Sequence, residues 1–198
     1  MEAIQFNKET LVAVYGNCNA VGRKAIKEQL GERLSEILPV TDRVKTFNDA
    51  VEELGEEHEA VKAYRAVEWY LRDQMSDIKA YLQLRIITAA LNEGWEPQFV
   101  KGEYRWYGWY DLISKEDYEA LSDEEKGRCV GRSGSNANAG GGLVSSNAGY
   151  ASSGSYTGYS SRLAFKSEKL AEYAAKQFIE IYADFCFIPK APDAKESK

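Results

Sequence analysis

The sequence predicts an α+β fold: a helical N-terminal half packed on a small antiparallel β-sheet and closed by a C-terminal helix. Three observations carry that reading. Capped, amphipathic runs at helical spacing dominate residues 1–95. At Trp95 the pattern turns to β-favouring aromatics, as in EYRWYGWYDLIS (103–114). A last run, SEKLAEYAAKQFIEIYADFCFI, places Leu170, Ala174, Phe178, Ile181 and Phe185 on one helical face. The chain reads as a single domain over 1–188. It is helical to 95, sheet with a Gly/Ser/aromatic-rich segment over 96–166, and helix over 167–188. A frayed polar tail, 189–198, follows.

The elements follow from local chemistry. Asn7 caps a short helix with Leu11, Val14 and Tyr15, and Asn19 caps Ala20 to Leu30, which Gly31 stops. Pro39 breaks the next segment. Thr46 caps a helix with Asp49 three residues later, a capping-box spacing; Phe47, Ala50, Val51 and Leu54 share its inner face, and Gly55 interrupts it. Ala60 to Leu71 carries Val61, Tyr64, Val67 and Leu71 on one face. Ser76 caps SDIKAYLQLRIITAALNEG (76–94), and Gly94 ends it. Its apolar stripe, with Ile78, Leu82, Ile86, Tyr81, Leu84, Ile87 and Leu91, is too wide for a surface helix. It is therefore the expected central helix. SKEDYEALSDEEKG forms one or two short helical turns, with a capping box at Ser122 and Glu125.

The stretch GRSGSNANAGGGLVSSNAGYASSGSYTGYSSRLAF (131–165) admits three readings. A phosphate-binding loop needs GxxxxGK[ST] or GxGxxG, and neither occurs. A flexible linker would leave the last helix alone, and one isolated amphipathic helix does not hold in water; a disordered insertion is the form of that reading that survives. The favoured reading is sheet. Cys129-Val130, Gly142-Leu143-Val144 and Arg162-Leu163-Ala164-Phe165 are strand cores, with turns at Asn147-Ala148-Gly149 and Ser153-Gly154-Ser155. They form an antiparallel meander beside the aromatic strand. Its small side chains let a helix or a ligand approach closely.

Composition narrows the function classes. The chain has 198 residues, 44% apolar and 28% charged, as in a soluble globular protein. Cys18, Cys129 and Cys186 are odd in number and far apart, which fits a reducing compartment and neither a disulfide framework nor a zinc site. MEAIQFNKET lacks the basic-then-apolar order of a signal peptide, and no run of about 18 apolar residues occurs. A cytoplasmic protein with no membrane span is expected. The one histidine, His58, lies in GEEHEA as a solvent-facing residue, with no HExxH and no GxSxG elsewhere. Cys186 sits in an apolar run and belongs to the core. The carboxylates of EELGEE and SDEEK read as caps and solvated faces. No catalytic residue, metal ligand set or cofactor site emerges.

The sheet region is more suggestive. Residues 1–100 hold 12 basic and 17 acidic side chains. Residues 101–166, without 116–126, hold seven basic (Lys101, Arg105, Lys115, Arg128, Arg132, Arg162, Lys166) and two acidic (Glu103, Asp111). Basic groups interleaved with aromatics suit a single-stranded nucleic acid, whose phosphates meet Arg and Lys and whose bases stack on rings. The candidate ligand-binding set is Arg105, Trp106, Tyr107, Trp109, Arg128, Arg132, Tyr156, Tyr159 and Arg162. The alternative is structural: a central strand covered on both sides also puts aromatics on both faces.

Four blocks carry a resemblance: RVKTFNDAVEELG (43–55), DIKAYLQLRIITAALNEGWEPQF (77–99), YRWYGWYDLISKEDYEALSDEEK (104–126) and SRLAFKSEKLAEYAAKQFIEIYADF (161–185). In this order, with a Gly/Ser/aromatic segment before SRLAF, the chain resembles uncharacterised proteins of Bacteroidales bacteria and their phages. The resemblance implies a phage or mobile-element setting and no particular chemistry. The expectation is a non-enzymatic, phage-type accessory binding protein that uses a basic, aromatic sheet, with single-stranded nucleic acid or a protein as partner. The competing classes are a virion or assembly structural protein, and an enzyme whose pocket gathers polar groups near Glu93, Glu103 or Asp111.

Overall fold

A computed structural model of the chain describes residues 7–71, 75–98, 100–126, 129–131, 142–152 and 160–187. The expected tail, 189–198, the turn at 153–155 and the site candidates Arg128, Arg132, Tyr156 and Tyr159 lie outside the described residues. The fold is α+β, as the sequence predicts.

The N-terminal helices are α1 (Lys8–Asn17), α2 (Ala20–Leu30), α3 (Arg33–Ile37) and α4 (Val40–Arg43). Asn7 and Asn19 accept from the backbone N–H of Thr10 and Gly22, three residues on. The next helix, α5 (Phe47–Leu54), opens on a complete capping box: Asp49 N–H donates to the Thr46 hydroxyl at 3.1 Å, and Thr46 N–H donates to the Asp49 carboxylate at 2.8 Å. Gly55 ends it with φ +83. In α6 (Glu59–Val67) the N-cap is His58, whose Nδ1 accepts from Ala60 N–H at 3.2 Å. His58 therefore serves as a half-buried cap. The solvent-facing position read from the sequence is corrected, because the imidazole satisfies a helix-end N–H.

The central helix, α7 (Ser76–Asn92), packs against α5, α6, α10 (Glu168–Gln177) and α11 (Ile179–Cys186). Leu84, Ile86, Ile87 and Leu91 are fully buried. Two details differ from the sequence reading. Ser76 is the first helical residue and makes no cap, and Ile78 at the free end of the stripe is exposed. The C-terminal run is also two helices, because Phe178 leaves helical geometry at φ −112 and ψ 28. The bend keeps Phe178, Tyr182 and Phe187 in the core.

The sheet holds β1 (Tyr104–Ile113), β2 (Cys129–Gly131) and β3 (Gly142–Ser152) in the order β1-β3-β2, antiparallel throughout. The connection between β1 and β2 carries α8 (Lys115–Ala120) and α9 (Asp123–Lys126). Several expectations change here. The strand order is not that of a meander, since β3 inserts between the other two. Asn147-Ala148-Gly149 is strand, paired with Trp109, Gly108 and Tyr107, and not a turn. Ser161–Leu163 is a 3-10 turn, so only Phe165 of the proposed last strand joins the sheet, bridging Trp106. The register slips between Trp109 and Tyr110, a bulge that leaves Ser146 without an opposite residue.

Small residues on one sheet face let a helix approach, and α10 is that helix. A Cβ added to Gly108 would lie 2.7 Å from the Ala175 Cβ, closer than two carbon atoms can pack. Opposite Gly108 in the sheet stands Ala148, and α10 contributes Ala171, Ala174 and Ala175. The main core thus runs from α5–α7 through α10 and α11 to the sheet. A second, smaller cluster of Leu11, Tyr15, Leu34 and Leu38 belongs to α1, α3 and the residue after α3.

Candidate functional site

Strand alternation puts Tyr104, Trp106, Gly108 and Tyr110 on one face of β1, and Arg105, Tyr107 and Trp109 on the other. The first face meets the helices. Tyr110 O–H donates to the Ala175 carbonyl at 2.9 Å, and its ring lies 5.2 Å from that of Tyr182. Towards the start of β1 the aromatic row continues into solvent. Tyr104 is 49% exposed and Tyr150, which pairs with Trp106 in the sheet, is 60% exposed. The Tyr104 and Tyr150 rings meet edge to face at 4.9 Å, and Trp106 lies 5.0 Å from Tyr150. Trp106 is partly buried against the main core. It anchors two outer rings into one continuous aromatic surface.

Phe165 completes the mount. Its N–H and C=O exchange hydrogen bonds with Trp106 at 2.9 and 3.1 Å. Asn92, at the end of α7, holds that segment: its side-chain amide donates to the Ala164 carbonyl at 2.8 Å and accepts from Lys166 N–H at 3.1 Å. The central helix thereby fixes where the aromatic surface sits.

On the opposite face the expected surface groups turn inward. Arg105 is only 2% exposed. Its Nη2 pairs with Glu103 at 3.1 Å and donates to the Gln98 carbonyl. Its Nε and Nη1 have no hydrogen-bond partner among the described residues. Tyr107 is buried as well. Trp109 is 54% exposed and lies over Gly149, where an added Cβ would touch the indole at 3.5 Å. Arg162 is exposed in its 3-10 turn. Of the described candidates, the structure groups Trp106 with two rings outside the predicted set, Tyr104 and Tyr150. It places Arg105 and Tyr107 inside, and Trp109 on the other face. An exposed binding role read for Arg105 does not match its position. A guanidinium held by a neighbouring carboxylate and a carbonyl is shielded from a ligand's phosphates.

The carboxylates singled out for an enzyme disperse. Glu103 is committed to Arg105, and Asp111 is exposed. Glu93 stands beside a cleft of about 460 Å³ that Lys27, Arg43, Glu53 and Glu93 line. There they form a chain of charges. Glu53 accepts from Lys27 at 2.7 Å and from Arg43, while Glu93 accepts from Arg43 at 2.6 Å and from Lys166 at 3.0 Å. Each carboxylate is thus flanked by two cations. Glu93 also takes a left-handed backbone at φ 50, unusual for a side-chain-bearing residue.

Two of the three thiols are shifted away from the thiolate form. Burial pushes the Cys186 pKa up to about 11, as its place in the apolar run implies. Burial, with Glu125 nearby, raises that of Cys129. Among the described residues no group of three or more His, Cys, Asp or Glu could hold a metal ion, and no helix is long and apolar enough to cross a membrane.

Fold and site together define an α+β protein with an exposed aromatic surface at one end of its sheet. Comparison with protein-family profiles, curated proteins and solved structures gives no match for this chain.

Proposed function

We propose that the protein is a non-enzymatic, phage-type accessory binding protein, and that the Tyr104–Trp106–Tyr150 surface stacks the unpaired bases of a single-stranded nucleic acid. The observation that carries the reading is the exposure of two large rings that touch each other and a third, anchored ring. Exposed aromatics normally collapse onto apolar neighbours, so a fixed, open row of them suits a planar ligand. Lys101, three residues before Tyr104, and Arg162, three before Phe165, are exposed cations. They would meet phosphates. With so few cations and a net charge of −6, stacking contributes more than charge.

The test is quenching of tryptophan fluorescence by oligo(dT) across a salt series. Expected is binding whose affinity falls with salt at a slope of about −0.7 per phosphate contacted, for one or two contacts. Tyr150→Ala should weaken binding by roughly 5- to 150-fold, a base-stacking loss of about 1–3 kcal/mol. Trp109→Ala, on the other face, should leave it unchanged. No binding at low salt, or equal effects of the two substitutions, removes the reading.

A structural or assembly role is the second reading. Trp69 and Tyr70, next to the end of α6, are both exposed and pack edge to face at 5.7 Å, a separate apolar patch that a protein partner could cover. Concentration-dependent sedimentation of the wild type that Trp69→Ala abolishes would favour it.

A further inference from the structure

Ion pairs tie α2 of the N-terminal helices to the rest of the molecule. The apolar residues of α1–α3 gather in their own cluster, Leu11, Tyr15, Leu34 and Leu38. The main core begins again at Val40 and Val44. The break between the two clusters falls at Pro39, in extended geometry at φ −53 and ψ 151. Besides the contact of α1 with α4, ion pairs cross the seam. From α2, Arg23 pairs with Asp49 and reaches Glu52 at 3.5 Å. Lys27 pairs with Glu53 at 2.7 Å. All three acceptors belong to α5, so one helix face of the body receives every cation that α2 sends across.

The packing along this seam is incomplete. Two clefts open on it, of about 460 and 410 Å³. Each takes one wall from the N-terminal helices (Lys27 and Leu34 in the first, Tyr15 and Arg23 in the second). The opposite wall comes from the body, and Arg43 is shared by both clefts. A cleft-lined contact, bridged by ion pairs, between two units with separate apolar clusters behaves like an inter-domain interface, where relative motion is the ordinary expectation.

We propose that α1–α3 forms an electrostatically latched lobe that opens from the body as a unit about Pro39, with Asp49, Glu52 and Glu53 of α5 as the catch. Opening breaks the pairs with Arg23 and Lys27, joins the two clefts into one groove, and presents the carboxylate face of α5 to solvent. The lobe's main helices have only 10 and 11 residues, too short to hold alone, so α1 and α2 fray once released. This device is independent of the aromatic surface and of what that surface binds.

The experiment is hydrogen–deuterium exchange on the full chain at constant pH, in NaCl from about 0.01 M to about 1 M, over which the Debye length falls from about 30 Å to about 3 Å. The expected result is exchange in α1 and α2 that rises by roughly tenfold with salt, with α7 unchanged. At low salt the double substitution Glu52→Gln, Glu53→Gln should reproduce the high-salt pattern. Exchange in α1 and α2 that is insensitive to salt overturns the proposal. So does a salt response shared equally by α7, which would report global unfolding. If the double variant does not fold, the wild-type series decides alone.

Discussion

The main body and the N-terminal helices are built from similar lengths of helix but are held by different forces. In the body, α7 turns Leu84, Ile86, Ile87 and Leu91 into a core shared with α5, α6, α10 and α11. Each such side chain contributes roughly 1.5–3 kcal/mol on burial, before conformational entropy is charged against it. In the N-terminal helices four buried residues form the apolar cluster, and Arg23 and Lys27 tie α2 to the body. Surface ion pairs contribute about 0–1 kcal/mol each, and for partly buried ones desolvation offsets much of the Coulombic gain. Two helical regions of one chain can therefore differ in cooperativity although their secondary structure is alike.

Truncation is the harshest way to break that comparison. Leu84→Ala should cost about 3–5 kcal/mol, because the packed body cannot collapse around the void. Leu34→Ala beside the open cleft should cost about 2 kcal/mol, the low end for such substitutions. Urea unfolding followed by circular dichroism measures both. Equal losses would mean that the two regions unfold as one unit.

The parts of this fold that were legible in the sequence are those set by local chemistry. Asn7, Asn19, Thr46 with Asp49, and Ser122 with Glu125 all act as the caps their spacing predicts. The wide stripe of α7 marked the central helix, and the aromatic run marked β1. What was not legible depends on partners far along the chain. Alternation divides β1 into two faces but does not say which one receives α10. Only the fold reveals that Gly108 lies beneath Ala175, or that Arg105 turns inward to Glu103 and Gln98. The aromatic surface had half a signal: Tyr104 shares its face with Trp106 by simple alternation. Tyr150 joins them through strand register, which one sequence does not supply. The same holds for Phe178, whose apolar spacing continues the helix although its backbone breaks it.

A gentler perturbation sharpens the picture of the body. Gly108→Ala adds one methyl group where the Ala175 Cβ already lies 2.7 Å from its position. Helix α10 must shift from β1, at a cost of about 1–3 kcal/mol. Because Tyr110 donates to the Ala175 carbonyl, the shift should also change the near-ultraviolet circular dichroism of the aromatics. A thermal melt and a near-ultraviolet spectrum that match wild type would show that the close approach is not required.

Acid supplies the mildest test and acts on the seam. Burial alone would raise the pKa of Asp49, but hydrogen bonds from Arg23, the Thr46 hydroxyl and the backbone N–H groups of Lys45 and Thr46 outweigh it, so the carboxyl titrates below its ordinary value. A carboxyl depressed in the folded state binds fewer protons there than in the unfolded chain. Its stabilising contribution is complete above the ordinary carboxyl pKa of about 3.9 and is lost as pH falls through the folded value. Acidification below about pH 4 should thus weaken the attachment of α2 to α5, seen as faster exchange in α1 and α2, before α7 responds. Asp49→Asn removes the charge while keeping an acceptor for the capping box. At neutral pH it should exchange faster than wild type in α1 and α2, and it should lose this group's share of the acid response. A variant whose pH profile overlays that of the wild type would place the grip on α2 elsewhere, in Lys27 and Glu53.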